Sequence, residues 1–251
     1  MKSLIRHLSK EPGTASMLLI SSLIIGICAL APALFVIIVL NKYLTSGITA
    51  TLISLSMGAV LAIAFEFTFR QNRGAMMSAF NQRVYDPLLK AFGEKFRTAG
   101  QLTAEQYKRL DGAGTMIKNM RTSSTTSWIL DWPFVLLFLL ALLMINWAAS
   151  IITAIFMIVM YNLITWKRNV SMSQETQGNI EIFLNGLQTI SIMAVGATMI
   201  IAGTLDIGLL IGSNILAARA LQGTSKYAKA IEFSKQRDQA VGEIINYVKS
   251  K

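Results

Sequence analysis

The 251-residue chain is too apolar and too poor in charge for an ordinary water-soluble domain, since 53% of its residues are hydrophobic, 14% are charged and its mean hydropathy is +0.53. Its net charge of +10 would suit a nucleic-acid partner, but basic connectors between long apolar blocks are typical of membrane topology, so we expect no nucleic-acid binding. The single cysteine, Cys28, excludes an intrachain disulfide and is interpreted as a small buried hydrophobe.

The first segment, residues 1–13, is polar and basic, and its apolar residues fall on one side of a possible short helix. Such a helix suits the membrane surface. The following apolar run, residues 15–40, is longer than the apolar part of a signal peptide and is not followed by a cleavage site and a polar chain. We therefore predict a first transmembrane helix here, kinked near Pro32.

A polar turn over residues 41–47 leads into a second predicted span at 48–69. At about 1.5 Å per residue, each of these two spans is long enough to cross a hydrocarbon core of about 30 Å. Residues 70–127 then form the one sizeable hydrophilic block, with apolar residues at helical spacing. It is predicted to be a helical cytoplasmic excursion, bent around Gly93 and again around 98–103.

The third predicted span, 132–145, opens on Asp131-Trp132-Pro133-Phe134. Proline suits the first turn of a helix, because the N–H that it lacks would have no partner there. After a short turn at Asn146-Trp147, the fourth span runs over 148–166 and ends on Trp166-Lys167-Arg168, an aromatic and basic anchor at the membrane interface.

A polar linker, 169–178, precedes a fifth span at 180–202, and the turn 203–206 leads into a sixth at 207–221. The predicted fold is thus an all-α membrane protein with six transmembrane helices. Its domains are a membrane part, 1–221, which includes the excursion, and a charged amphipathic helix, 222–251.

The distribution of basic residues predicts how the spans are oriented in the membrane. Of the 23 Lys and Arg, one (Lys42) lies in the connectors 41–47, 146–148 and 203–206, which leaves 22 on the opposite side. The positive-inside rule places that side in the cytoplasm. Both termini and residues 70–127 are therefore predicted to be cytoplasmic, in a multi-pass membrane protein.

The order of these segments resembles the type 1 transmembrane domain of ABC exporters, most closely that of bacterial type I secretion transporters. The similar pieces are Ala29 to Phe35, Asp131 to Leu140, Val195 to Ala197, Gly203 to Ile211, Asn214 to Leu216 and Arg219 to Leu221. The resemblance covers most of the membrane-embedded chain, and it is carried by the order and spacing of the pieces rather than by any one of them.

Two features depart from that family. The second cytoplasmic excursion, which in the family carries a coupling helix that docks on the ATPase, is reduced here to residues 169–178, and the chain stops at Lys251 where the family continues into a nucleotide-binding domain. No G-x-x-x-x-G-K-[ST] motif is present. We therefore expect no cofactor and no ATP hydrolysis by this chain, while a separately encoded ATPase stays possible as a partner.

Ionisable and amide side chains inside predicted spans are functional suspects, because burying them in a bilayer is costly. Glu66 lies one helical turn before Arg70, which predicts an ion pair on one helix face. Arg219 either extends towards the interface or pairs with an acidic residue. The candidate cavity residues are Glu66, Asn185, Gln188, Asn214 and Arg219. Glu181 and Asp206, at the ends of spans, are interpreted as structural.

The resemblance implies that any coupling to an ATPase passes through the first excursion. The candidate docking residues there are Arg83, Val84, Tyr85, Asp86 and Lys90. Gly208 and Gly212 form a G-x-x-x-G pattern, which permits close helix contact either within the chain or in a dimer. His7 is the only histidine, so neither histidine-based catalysis nor a His-rich metal site is expected.

Two functions follow as hypotheses, and neither is enzymatic. One is a membrane subunit of an export or secretion assembly, resembling an exporter half without its own ATPase. The other is a non-transporting membrane scaffold that holds partner proteins. In both, the chain is expected to contact the lipid bilayer and to form a homo-oligomer or a hetero-oligomer with other membrane subunits.

Overall fold

The computed structural model describes residues 12–44, 49–97, 103–166 and 174–249, and within these ranges all regular structure is helical. Five of the described helical segments are long and apolar enough to cross a membrane: Pro12–Tyr43, Ala50–Arg97, Thr125–Ile145, Trp147–Thr165 and Glu175–Ile201. The prediction of an all-α, multi-pass membrane protein is confirmed at this level. Residues 1–11 of the predicted surface helix and residues 169–173 of the predicted linker lie outside the described residues, whereas 174–178 are already helical.

The first span is interrupted where the sequence predicted a kink. Helix α1, Pro12–Cys28, and helix α2, Ala31–Ile38, are separated by a turn at 29–30, and Pro32 lies in the first turn of α2. There its missing N–H costs no helical hydrogen bond. A π-helical turn, Val39–Tyr43, follows α2, so Asn41 is still helical and the connector begins later than the predicted 41–47.

Helix α3, Thr49–Arg97, is a single helix of 49 residues that contains the second predicted span and part of the excursion. It continues through Gly93 without a break, although the sequence predicted a bend there. Helix α4, Ala104–Thr122, begins with a reciprocal cap in which Gln106 N–H donates to Thr103 Oγ1 (3.4 Å) and Thr103 N–H to Gln106 Oε1 (3.2 Å).

A 3₁₀ segment, Thr125–Asp131, leads into helix α5, Trp132–Ile145, which has the predicted bounds of the third span. Only Asn146 separates it from helix α6, Trp147–Trp166. The Asn146 side chain caps α6 by accepting a hydrogen bond from Ala149 N–H (3.1 Å). Because Asn146 supplies this cap, the two apolar helices reverse direction over one residue. Helix α6 packs against α5 and against helix α7, Gln174–Ile201.

Helix α7 ends in a tight turn in which Gly203 has φ of 71°, a left-handed conformation that favours glycine. Helix α8, Ile207–Lys249, then runs for 43 residues without interruption. Its first part, the sixth predicted span, is not among the five apolar segments, since it carries Asn214 and Arg219. One face of it is nevertheless packed against protein, because Leu216, Ala217, Ala220 and Leu221 are buried in the main core.

The described chain divides into two compact units. The membrane unit comprises residues 21–70 and 128–229, and the bundle unit comprises residues 12–20, 71–127 and 230–249. In this grouping the end of α8 belongs with the excursion, and the predicted division at residue 222 stays a prediction. The core of the bundle unit is formed by side chains of α3, α4 and α8: Tyr85, Phe92, Leu110, Ala113, Ile117, Ala240 and Ile244.

Candidate functional site

A buried carboxylate joins the second and sixth predicted spans in the membrane unit. Oε1 of Glu66, whose side chain is 7% exposed, accepts hydrogen bonds from Arg70 Nε (3.0 Å) and Nη2 (2.8 Å), and from Arg219 Nη1 (3.0 Å). The predicted pairing of Glu66 with Arg70 is therefore confirmed, and Arg219 pairs with the same acid. One acid held by two guanidinium groups costs far less to bury than an unpaired charge.

A second polar group lies between α7 and α8. Glu181 Oε2 accepts a hydrogen bond from Ser225 Oγ (2.7 Å) and forms an ion pair with Lys229 Nζ (2.7 Å). This contact supports the structural interpretation of Glu181. Asp206, the other acid interpreted as structural, lies exposed in the turn before α8.

The three candidate amides differ in burial. Gln188 is 1% exposed on α7, whereas Asn185, one turn earlier, and Asn214 on α8 are half-buried. Within the described residues, Gln188 Oε1 and Asn185 Oδ1 are buried without a hydrogen-bond partner. An unpaired buried acceptor costs about 1–3 kcal/mol. Both oxygen atoms are covered by other parts of this chain.

The two glycines of the G-x-x-x-G pattern make contacts within the chain. A Cβ at Gly212 would collide with the Ile37 side chain and lie 3.3 Å from the Ala33 carbonyl oxygen, and one at Gly208 would collide with the Asn41 side chain. Gly208 N–H also donates to Asn41 Oδ1 (3.2 Å). These glycines therefore let the start of α8 approach the first span closely.

The largest cavity described in the membrane unit has a volume of about 540 Å³ and lies among α5, α6 and α8. That volume is within the range of small-molecule sites, roughly 300–1,000 Å³. Tyr227 stacks on Trp132, with ring centroids 4.5 Å apart, and more distantly on Tyr161. Burial raises the pKa of Tyr227, with a further contribution from Tyr161.

Sequence reasoning did not single out this cavity. Its lining residues are Trp132, Leu139, Ala154, Met157, Ile158, Tyr161, Asn162, Thr224 and Tyr227. The available signal was the presence of three aromatic residues near the predicted membrane boundary, on three different segments. Only the packing of those segments brings the three rings together.

The predicted docking residues in the bundle unit separate into two groups. Arg83 and Lys90 are exposed and lie about two helical turns apart on α3, whereas Tyr85 is buried in the core and Val84 packs against it. Asp86 Oδ1 lies 2.9 Å from Arg121 Nε, close enough for an ion pair although the hydrogen-bond geometry is poor. Tyr85, Val84 and Asp86 therefore hold the bundle unit together, and Arg83 and Lys90 stay accessible.

Burial raises the pKa of Tyr85, while the nearby Arg237 guanidinium opposes that effect in part. Among the described residues, no group of three or more His, Cys, Asp or Glu side chains could hold a metal ion. The polar features of the membrane unit described above are therefore ion pairs, buried amides and an aromatic cavity.

Comparison with known proteins gives this chain no family. No protein-family model matches the sequence, and no curated protein is significantly similar to it.

Proposed function

We propose that this chain is a membrane subunit of a bacterial export or secretion assembly, built like the transmembrane half of a type 1 ABC exporter. The observation that carries the proposal is the Glu66–Arg219 contact (3.0 Å). Arg219 belongs to one of the segments that carry the resemblance, and a transporter needs charged groups kept inside its helices rather than towards lipid. The order of the apolar segments and the cavity of about 540 Å³ also support this function.

The proposal includes a sixth span at 207–221, although that segment is less apolar than the others. Its guanidinium group at Arg219 is paired with Glu66, and its glycines face the first span, so little of its polar surface needs to meet lipid. With six spans, the asymmetry of basic residues supports a topology in which both termini and residues 70–127 are cytoplasmic and the protein lies in the inner membrane.

Cysteine labelling tests this topology. In a Cys28→Ser background, Thr204→Cys should react with a membrane-impermeant maleimide in intact spheroplasts, whereas Ser123→Cys and Lys251→Cys should react only after permeabilisation. Thr204 is the matched control, because it lies exposed in the turn on the opposite side. Labelling of Lys251→Cys together with Thr204→Cys in intact spheroplasts would show that residues 207–221 do not cross the membrane.

Coupling to a separately encoded ATPase is proposed to pass through the exposed face of α3 in the bundle unit. Reversing charge at Arg83 and Lys90 together, each to Glu, should leave insertion intact and reduce copurification of the ATPase in mild detergent by about tenfold or more, because it turns attraction to an acidic docking surface into repulsion. The matched control reverses Lys108 and Lys118, which are exposed on α4 of the same unit.

The C-terminal helix is the alternative docking site. Deleting it would not be a clean test, because Ala240 and Ile244 fill the same core as Tyr85. Lys235→Glu on the exposed side of α8 replaces the deletion. If Lys235→Glu abolishes association while the Arg83 and Lys90 reversals leave it unchanged, docking occurs on α8 and the assignment to α3 is wrong.

The chain itself is proposed to be non-enzymatic and to work as a homo-oligomer or with other membrane subunits, since an exporter half forms its cavity with a second half. Purified chain should show no ATP hydrolysis, and native mass spectrometry should find more than one membrane subunit. The scaffold alternative is distinguished by adding the copurified ATPase back. A rate that does not depend on this chain favours the scaffold.

A further inference from the structure

A small cavity of about 40 Å³ in the membrane unit is lined by charged side chains from three segments. Arg70 comes from α3, Asp131 precedes α5, and Arg219 and Lys226 come from α8, while Ser22 and Gln222 add neutral hydrogen-bonding groups. The α1 side is closely packed, because a Cβ on Gly26 would lie 2.9 Å from Phe134 Cδ1. The cavity is therefore a formed feature of the helix packing.

The charged residues of this cavity lie at the predicted membrane boundary. Arg70 directly follows the second predicted span, Asp131 directly precedes the third, and Lys226 lies five residues beyond the sixth. This is the depth at which lipid phosphates meet water, and basic pockets between helices on the cytoplasmic side bind anionic headgroups.

Positive charge exceeds negative charge at this place. Glu66 is shared by Arg70 and Arg219, and Glu181 is occupied by Lys229 and Ser225. Within the described residues, Lys226 makes no ion pair of its own. Burial lowers the pKa of Lys226, and Arg70 lowers it further, while Asp131 and Glu181 act in the opposite direction. A bound anion would offset the excess of positive charge around the half-buried Lys226.

We propose that this cavity binds a phosphate oxyanion, through Lys226 and the N–H groups of Arg70 and Arg219 that Glu66 does not use. Glu66 contacts two nitrogen atoms of Arg70 and one of Arg219, and each guanidinium carries five N–H donors. The volume exceeds the roughly 10–15 Å³ that one water requires. The two arginine side chains are 33% and 32% exposed, so a phosphate can reach them.

The phosphate can belong to an anionic lipid or be free in solution, and the site does not depend on a transport function. The experiment uses the full chain in mild detergent. Native mass spectrometry measures retention of phosphatidylglycerol and of phosphatidylcholine, and thermal unfolding is followed with and without inorganic phosphate. Lys226→Gln should weaken binding of the recognised ligand about fivefold or more, because one close cation is removed.

Lys235→Gln is the matched control, because it removes one lysine charge from the same helix outside the cavity. Lys226-dependent retention of phosphatidylglycerol assigns the site to lipid, and Lys226-dependent stabilisation by inorganic phosphate alone assigns it to a free anion. If Lys226→Gln and Lys235→Gln behave alike with both ligands, the proposal fails.

A second variant changes binding in the opposite direction. Asp131→Asn removes the carboxylate that lines the cavity and should strengthen retention of the same ligand. It also keeps the test decisive if Lys226→Gln does not fold. Unchanged or weaker binding by a folded Asp131→Asn protein would overturn the proposal.

Discussion

The two units of this protein differ in the side chains that they expose and in how their acidic residues are paired. The core of the bundle unit is aromatic and aliphatic, with Phe92 stacked on Phe96 (5.1 Å between ring centroids), and its Arg109–Glu243 pair is exposed. Two arginines of this unit are buried as well: Arg73, and Arg237, which donates hydrogen bonds to Ser234 and Asp238. In the membrane unit, by contrast, Glu66 is buried and large apolar side chains such as Met144 and Phe67 are exposed.

The contrast follows from the solvent each surface meets. In water, apolarity marks the inside of a helix bundle, because burial of apolar surface drives packing. In lipid, apolar side chains gain nothing by turning inwards, so close packing of small residues and pairing of polar groups mark the interior. The glycines at 208 and 212, the Glu66 network and the Glu181 contacts therefore help to hold the membrane unit together, beside the apolar core around Leu142 and Leu216.

The largest expected loss of stability comes from breaking the buried ion pairs of Glu66 rather than the exposed Arg109–Glu243 pair. Glu66→Gln leaves two guanidinium groups without their carboxylate and should destabilise the protein by roughly 3 kcal/mol, the lower end for a broken buried pair, because both arginines are about one-third exposed. Glu243→Gln breaks the exposed pair, whose side chains are 68% and 40% exposed, and should leave the melting temperature nearly unchanged. Thermal unfolding in detergent measures both. Equal shifts for the two variants would mean that the Glu66 network does not stabilise the membrane unit.

A smaller effect tests close packing in the membrane unit. Gly212→Ala places a methyl group against Ile37 and the Ala33 carbonyl oxygen and should cost about 1–3 kcal/mol through overpacking. Gly58→Ala is the matched control, since no atom lies within 4 Å of an added Cβ there, and it should be neutral or slightly stabilising. The melting temperatures of the two variants check this. A neutral Gly212→Ala would show that α8 does not need its close approach to the first span.

The smallest expected effect concerns pH and the bundle unit. Burial raises the pKa of Tyr85 above the ordinary value of 10.0, so the folded state retains the phenol proton more tightly than the unfolded state. The corresponding stability is fully present below about pH 10 and is lost as the pH rises through the folded-state pKa. Tyr85→Phe should therefore reduce the alkaline loss of stability, measured by thermal unfolding between neutral pH and the alkaline limit.

Tyr107→Phe controls for tyrosine ionisation in general, because Tyr107 is an exposed residue of the same unit. Its alkaline loss should match that of the unaltered protein. If Tyr85→Phe and Tyr107→Phe give the same alkaline profile, the buried phenol does not limit the stability of the bundle unit.

The sequence alone determined the features that depend on neighbouring residues. Apolar length predicted the bounds of α5 at 132–145, proline predicted the interruption near residue 32, and Gly203 predicted the turn before α8. The sequence also identified Glu66 and Arg219 as charged residues inside predicted spans, where a charge needs a partner. Local periodicity and backbone preferences are sufficient for these predictions, because each depends on a few adjacent residues.

The tertiary structure alone decided the pairings between distant residues. Arg219 meets Glu66 across 153 positions, Tyr85 shares a core with Ala240 and Ile244, and Gly212 faces Ile37. The sequence offered several acids as partners for Arg219 and two kinds of contact for Gly212, and no local pattern distinguishes among them. Those choices depend on how whole helices pack, because a side chain's partner is set by the position of another segment, not by its own neighbours in the chain.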